Sequence, residues 1–440
     1  MAIPGLDETH SPAITSWVEL PLRAGDFPLQ NLPLGVFRSG PGPARIGTAI
    51  GGFVLDLERT VAVGALGALD AELREALRAT TLNALFSLGR PALRAVRREV
   101  HALLRSDSAL PRPPAECLIP SGQVELLLPA TIGDYTDFYA SIHHARNVGS
   151  MLRPEQPLLP NYKWVPIGYH GRASSIVPSG TPVQRPLGQL KRDDAPEPSF
   201  GPTAALDFES EVGMWIGKGN SLGEPVSIDS AEAHLAGCCL LNDWSARDMQ
   251  RWEYQPLGPF LSKSFATSIS PWVVTLDALE PFRVPAAERP EGDPAPLAYL
   301  TSSEARERGG IDLALEVWLT SPRMREQGHP AVRLSQARFA QLYWTAAQLL
   351  THHASNGCNL RPGDLLASGT VSGPDRDNRG CLLELTWGGR EPLELPSGEK
   401  RSFLQDGDEV VLRGSCSREG FATIGFGECR GVVAPARASA

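Results

Sequence analysis

The stretch Leu241-Asn-Asp-Trp-Ser-Ala-Arg-Asp-Met-Gln250 follows directly on the apolar run His234-Leu-Ala-Gly-Cys-Cys-Leu240. Such a run belongs in or near a core, and it carries Asp243, Arg247 and Gln250 in with it. Burying these groups without partners costs several kcal/mol, so any fold of this chain has to supply them with one another, a metal or a ligand. Packing alone rarely asks for this. Three other polar stretches are candidates to converge on the same place: Asp134-Tyr-Thr-Asp-Phe-Tyr139, Asp207-Phe-Glu-Ser-Glu211 and Lys263-Ser-Phe-Ala-Thr267.

The scaffold that brings them together has 440 residues, more than one core usually supports, so two domains are expected. A formal net charge of −9 without a dense Lys/Arg block argues against a nucleic-acid surface and leaves a small molecule as the expected partner. The 7 cysteines are odd in number and scattered, with no CxxC pair, which fits reduced thiols rather than a disulfide frame or a zinc site. The start, Met-Ala-Ile-Pro-Gly-Leu-Asp-Glu, lacks a basic then apolar run, and no apolar stretch is long enough to span a membrane. A cytoplasmic protein with no membrane partner is expected.

Residues 1–110 have their own character. Val36-Phe37 and the glycine-broken run 45–57 read as short strands of a small barrel or sheet. Residues 71–78 and 82–104 then show helical spacing, with Leu85, Leu88, Leu93, Val96 and Val100 on one face and Pro91 marking a break or restart. His101, among these helical positions, reads as a surface or packed histidine rather than a catalyst. Leu110-Pro-Arg-Pro-Pro-Ala-Glu116 is the best linker, and a boundary nearby divides the chain into 1–128 and 129–440. Beyond it, β-type runs at 125–128, 175–177, 206–216, 272–275, 312–319, 381–387 and 409–412 favour a mixed or antiparallel β domain. The clearest helical pattern there is 335–353. Residues 281–297 read as a proline-rich surface loop, and the tail from Val432 as a frayed end.

Glu209 and Glu211 are two apart, so on a strand they share a face and repel each other unless a cation sits between them. An exposed acidic strand face would read the same way if the pair stood alone. With Asp137 and Asp243 the pair would make an all-oxygen site, whose chemistry suits Mg²⁺, Ca²⁺ or Mn²⁺ better than zinc. His143-His144 lies close after Asp137 and Tyr139, so one of the two could act as a general base beside such a metal; the alternative is a solvated pair. His170, His352 and His353 stand by glycines or at a helix end and read as structural.

Gly133-Asp-Tyr-Thr-Asp-Phe-Tyr139, Gly168-Tyr-His-Gly-Arg-Ala-Ser-Ser175, Leu241-Asn-Asp-Trp-Ser-Ala-Arg-Asp248, Trp252-Glu-Tyr254, Pro256-Leu-Gly-Pro-Phe-Leu261, Lys263-Ser-Phe265 and Asn359-Leu-Arg-Pro-Gly-Asp-Leu-Leu-Ala-Ser-Gly-Thr370 closely resemble the fumarylacetoacetase family. The resemblance runs in register from about residue 130 and is looser before it. Two of these segments, Asn242 to Asp248 and Gly363 to Thr370, recur in a wider superfamily of decarboxylases, hydratases and acylpyruvases, whereas the Asp134 to Tyr139 segment narrows the match.

The resemblance implies a mainly β protein with some α, in which a small N-terminal SH3-like barrel is followed by a large C-terminal mixed β-sandwich roll. It implies a homodimer that hydrolyses the carbon–carbon bond of 4-fumarylacetoacetate to fumarate and acetoacetate, the last step of tyrosine and phenylalanine catabolism. An acylpyruvase or a β-keto acid decarboxylase of the same superfamily is the alternative. By match of position, Asp137, Glu209, Glu211 and Asp243 would hold Mg²⁺ or Ca²⁺, with Lys263 and Thr267 beside it. His144 would be the catalytic base oriented by Glu384, with Arg247, Gln250 and Lys263 at the oxyanion. Tyr139, Arg153, Tyr169, Gln250, Tyr254 and Thr370 would contact substrate. Ala266 stands where the family has glycine, and His143 beside His144 leaves the choice of base open.

Overall fold

The computed structural model describes residues 5–18 and 25–437. The first four residues of the chain start and the last three of the small-residue tail lie outside the described residues.

The chain opens with a five-stranded antiparallel sheet. Its strands are β1 (Leu34–Arg38), β2 (Arg45–Ile50), β3 (Phe53–Asp56), β4 (Leu118–Pro120) and β5 (Glu125–Leu127), in the order β4-β3-β2-β1-β5. The proline-rich run 110–116 therefore does not close this unit, because β4 and β5 follow it. Between β3 and β4 the helical spacing is realised, and the break falls at Gly89, whose φ of 76 only glycine adopts at low cost. The long helix α1 (Gly89–Leu104) starts there and keeps Pro91 in its first turn, where the missing N–H has no partner to lose. Its buried face carries Leu93, Val96, Val100, Leu103 and Leu104, with His101 packed among them and pushed down to about 4 by burial and by Arg97.

The site is built on an eight-stranded mixed sheet. Its strands include β6 (Tyr135–Phe138), β7 (Gly168–His170), β8 (Ile176–Pro178), β9 (Ser210–Ile216), β10 (Leu235–Asp243), β11 (Thr267–Ile269) and β12 (Leu365–Ala367), in the order β7-β6-β12-β9-β10-β11-β8, and Val274–Thr275 pairs with β10. Every residue of β9 and β10 is buried, because the sheet is covered on both faces. Trp215, Cys239 and Leu241 face one core with Leu93 and Val96 of α1, whereas Val212, Met214, Cys238 and Leu240 face the other.

That second core is shared with a five-stranded sheet formed by Val183–Gln184, Leu313–Thr320, Val332–Arg338, Glu409–Cys416 and Ile424–Ala434. The two sheets approach closely at Gly414, where a Cβ would come 2.6 Å from Leu240 Cδ2. The protein is thus mainly β, with few helices and a small N-terminal sheet ahead of the large β unit.

Several local expectations are corrected. Residues 335–338, the start of the run read as helical, belong to the strand Val332–Arg338, in which Ser335 and Ala337 are buried and Arg333, Gln336 and Arg338 exposed. The helix begins only at Ala346, after a capping box between Thr345 and Gln348, and ends at Ala354. The run 381–387, read as a strand, contains the short helix Leu382–Leu385. Of 272–275 only Val274–Thr275 pairs in the sheet, and in 281–297 the first residues are buried before the loop reaches the surface. The last strand continues to Ala434, so Val432 is part of the sheet rather than of a frayed end. All seven cysteines are unbonded.

Candidate active site

Sheet register gathers the carboxylates. Asp243, at the end of β10, pairs with Thr267 at the start of β11; Asp137 pairs with Ala367 on one side and Tyr169 on the other; and Ala367 pairs with Gly213, two residues along β9 from Glu211. Side chains two apart on a strand share a face, so Glu211, Asp137 and Asp243 emerge together at one end of the sheet. Glu209 joins them from the residue just before β9. One oxygen of each of the four lies within 4.8 Å of the others, and all four residues are buried.

Partners satisfy only part of this charge. Lys263 Nζ donates to Glu209 Oε2 and, at 2.7 Å, to Asp243 Oδ2, while Thr267 Oγ1 and the Tyr169 hydroxyl donate to Asp243 at 2.8 and 2.9 Å. Gly369 N–H donates to Glu211 Oε2 at 3.1 Å. Gly369 has φ 74, and a Cβ there would meet Phe138 O at 2.1 Å, which explains the glycine in that motif. Asp137 Oδ1 and Glu211 Oε1 remain buried with no hydrogen-bond partner. Burial and then Asp243 push Asp137 up to about 8, and burial and then Asp137 push Glu211 well above the carboxylate range. Burial would also raise Glu209, but Lys263 and Arg247 overcome it and hold Glu209 well below its ordinary value. Orphaned buried oxygens on mutually repelling carboxylates, with no sulfur or imidazole among them, fit a hard divalent cation.

A second group adjoins the first. His144 lies in the first turn of the helix α2 (Ile142–Leu152), whose cap Ser141 accepts from His144 N–H. His144 Nδ1 is 2.7 Å from Glu384 Oε2, and both side chains are buried. Glu384 accepts as well from Asn147 Nδ2 at 2.8 Å, Ser372 Oγ at 2.7 Å and Cys381 Sγ at 3.2 Å. Burial opposes its ionisation, yet His144, Asn147 and Ser372 hold it down at about 2. An ionised Glu384 can only accept, so it places the imidazole proton on Nδ1 and leaves Nε2 free as a base. His143, half-buried and lowered by burial, carries no such carboxylate partner among the described hydrogen bonds.

Arg247 opens the helix α3 (Arg247–Glu253). Its guanidinium meets Asp207 Oδ2 at 2.8 Å, Glu209 Oε1 at 2.7 Å and Gln250 Oε1 at 3.1 Å, and its Nη2 is buried without a partner. The Tyr139 ring stands edge-on to His144 at 5.3 Å, and Arg153, just past α2, counters part of the rise that burial and Glu384 impose on the Tyr139 phenol. Thr370 Oγ1 is another buried atom without a hydrogen-bond partner. Tyr254 is half-buried at the end of α3, where its backbone N–H closes the helix on Gln250; no side-chain contact ties it to the carboxylates among the described residues.

Sequence reasoning passed over Asp207, Asn147, Ser372 and Cys381. Asn147 follows His144 by three on one helix, and Asp207 opens the very stretch that carries Glu209 and Glu211, so both had a signal in their spacing. Ser372 and Cys381 had none.

The family model described as "Fumarylacetoacetase N-terminal" matches residues 30–129, and the one described as "Fumarylacetoacetate (FAA) hydrolase C-terminal" matches 134–434. The fumarylacetoacetase of Caenorhabditis elegans is 49% identical over 430 residues, covering 96% of this chain and 99% of that one. That of Bos taurus is 48% identical over 418 residues, covering 93% and 97%, and that of Oryza sativa subsp. japonica 47% identical over 422 residues, covering 93% and 95%. The solved structure of a fumarylacetoacetate hydrolase from Exiguobacterium antarcticum shares the fold, with a TM-score of 0.50 at 18% identity over 92% of this chain and 100% of that one. No helix among the described residues is long and apolar enough to cross a membrane. Two consecutive family matches spanning nearly the whole chain, and relatives at nearly half identity end to end, place this protein in the fumarylacetoacetase family.

Proposed function

We propose that the protein hydrolyses 4-fumarylacetoacetate to fumarate and acetoacetate. The observation that carries this reading is the meeting of a cation-deficient carboxylate pocket with a histidine whose free nitrogen is fixed by a buried glutamate. The reaction needs a nucleophilic water, a sink for the tetrahedral oxyanion and a means of holding the departing acetoacetate as its enolate. His144 Nε2 takes the proton from water, and Glu384 stabilises the imidazolium that results. Arg247, through its unpartnered Nη2, meets the oxyanion together with the Gln250 amide and Lys263. A divalent ion held by Asp137, Glu209, Glu211 and Asp243, flanked by Lys263 and Thr267, would supply Lewis-acid polarisation of the diketone oxygens. Tyr139, Arg153, Tyr169, Gln250, Tyr254 and Thr370 contact the substrate, with Arg153 suited to a terminal carboxylate.

The metal in this reading is Mg²⁺ or Ca²⁺, and the protein is a cytoplasmic homodimer acting in tyrosine and phenylalanine catabolism. Residues 1–128 form its small domain and 129–440 its catalytic domain. The test is turnover of fumarylacetoacetate by purified protein, beside a panel of acylpyruvates and β-keto acids, before and after chelation. The reading expects fumarylacetoacetate to be preferred and activity to return with Mg²⁺ or Ca²⁺. Full turnover by exhaustively metal-stripped protein would overturn the metal's role, and a preferred acylpyruvate would overturn the substrate.

A further inference from the structure

Asp207 is fully buried, and its two oxygens receive four donors that come from separate parts of the chain. Oδ2 accepts from Arg247 Nε at 2.8 Å and from Leu383 N–H at 2.9 Å; Oδ1 accepts from Leu382 N–H at 2.7 Å and from Phe208 N–H at 2.8 Å. Leu382 and Leu383 are the first residues of the short helix that carries Glu384, and that helix has no side-chain cap from its own N-cap position, Cys381. Free N–H groups at a helix start need an outside acceptor, and here the acceptor is a carboxylate brought from 175 residues away.

The same carboxylate sets the roll of the Arg247 guanidinium. With Nε on Asp207 and Nη1 shared between Glu209 and Gln250, the plane is fixed on two edges, and Nη2 is the nitrogen left to point elsewhere. Lysine could not reproduce this, since it has no second edge.

We propose that Asp207 is a positioning residue that locks the spacing between the two halves of the reaction, holding the oxyanion donor Arg247 and the helix of the base-orienting Glu384 on one rigid carboxylate. It is not among the four carboxylates gathered at the metal pocket, and both its oxygens are engaged by protein donors. The assignment rests on the hydrolytic reading above and deepens it. Activated water and oxyanion donor must approach one carbonyl from fixed directions, and displacement by about 1 Å costs on the order of 100-fold in rate.

The test is Asp207→Asn, which keeps the shape but turns one acceptor oxygen into a donor facing N–H groups. Its kcat should fall by about 100-fold or more, with KM for fumarylacetoacetate and Mg²⁺ affinity each changed by less than about threefold. In that background Arg247→Gln should cost less than about tenfold further, because a guanidinium already displaced has little left to lose. Wild-type kcat in Asp207→Asn, or losses that multiply in the double variant, would overturn the proposal. If Asp207→Asn does not fold, Arg247→Lys decides: it keeps the charge without the Nε bond, so a kcat near that of Arg247→Gln supports the clamp and a kcat near wild type overturns it. A wild-type protein that does not turn over fumarylacetoacetate, yet shows the same coupling on another diketo acid, would sink the substrate and keep the clamp.

Discussion

The molecule buries two clusters of acids, and they differ in what surrounds them. Around Asp277 and Glu280 every carboxylate has an arginine: Arg90 reaches Asp277 at 3.2 Å and Glu280 at 3.1 Å, Arg94 Nε reaches Asp277 at 3.0 Å, and Arg308 reaches Glu280 at 2.6 Å. Around Asp137, Glu209, Glu211 and Asp243 the cations Lys263 and Arg247 serve Glu209 and Asp243, and buried oxygens of Asp137 and Glu211 have no partner. Burial of neighbouring acids is common to both, so burial alone does not distinguish a metal pocket from a structural ion-pair cluster. Unsatisfied acceptor atoms do, because a buried carboxylate without a partner must either take up a proton or have a cation beside it.

Substitution breaks this contrast most sharply at the metal pocket. Asp243→Ala removes a carboxylate that also anchors Lys263, Thr267 and Tyr169. It should lower turnover by about 1000-fold or more and abolish stoichiometric metal binding while the chain still folds, as read by metal analysis and circular dichroism. Stoichiometric metal in that variant would count against the pocket.

The next effect lies beside the pocket. His144→Ala should lower kcat by about 100-fold to 10,000-fold and Glu384→Gln by about 100-fold, with metal and substrate affinity kept. The double variant should be little worse than His144→Ala alone, since residues acting as one unit are not additive. His143→Ala should be mild, within about threefold. Independent multiplication of the two losses, or an essential His143, would reverse the assignment of base and orienter.

Stability against pH sharpens the comparison further. Asp137 is pushed up to about 8 by burial and Asp243, against an unfolded value of about 4. Between those values the folded metal-free state binds more protons than the unfolded one, so stability falls as pH rises through the window. Chelated protein should therefore melt several degrees lower at pH 8 than at pH 5, and saturating Mg²⁺ should remove that drop. An equal drop with and without metal would show that Asp137 does not face the cation.

The smallest effect belongs to the paired cluster. Asp277→Asn should cost about 1 to 3 kcal/mol of stability, measured by thermal or urea unfolding, because it leaves Arg90 and Arg94 with a weaker acceptor. Turnover and metal content should not change. A loss of metal in that variant would mean that the two clusters communicate.

Much of the fold could be read from local pattern. The apolar run up to Leu240 lies in the core, the helical spacing of Leu93, Val96 and Val100 is a helix, and the β-type run 312–319 falls almost wholly in the strand Leu313–Thr320. Where local pattern misled, a distant group or a neighbouring sheet decided. The run 381–387 has the composition of a strand, yet its first N–H groups find Asp207 and it turns into a helix. Residues 335–338 adjoin a helical pattern, yet the backbone of Leu313–Thr320 offers them a ladder, and of these four only Ser335 and Ala337 are buried.

The sequence by itself determined the donor chemistry of the site: oxygen ligands without sulfur, a histidine near them, and a motif-level likeness to the family that the whole-chain matches then bear out. Residue identity sets what an atom can donate or accept, and that is legible in one dimension. Only the tertiary structure decided that Asp137, Glu211 and Asp243 share one end of one sheet, that two of their oxygens lack partners, and that His144 meets Glu384 across 240 residues. Register, burial and hydrogen-bond satisfaction are properties of pairs of atoms brought together by the fold, so no local pattern contains them.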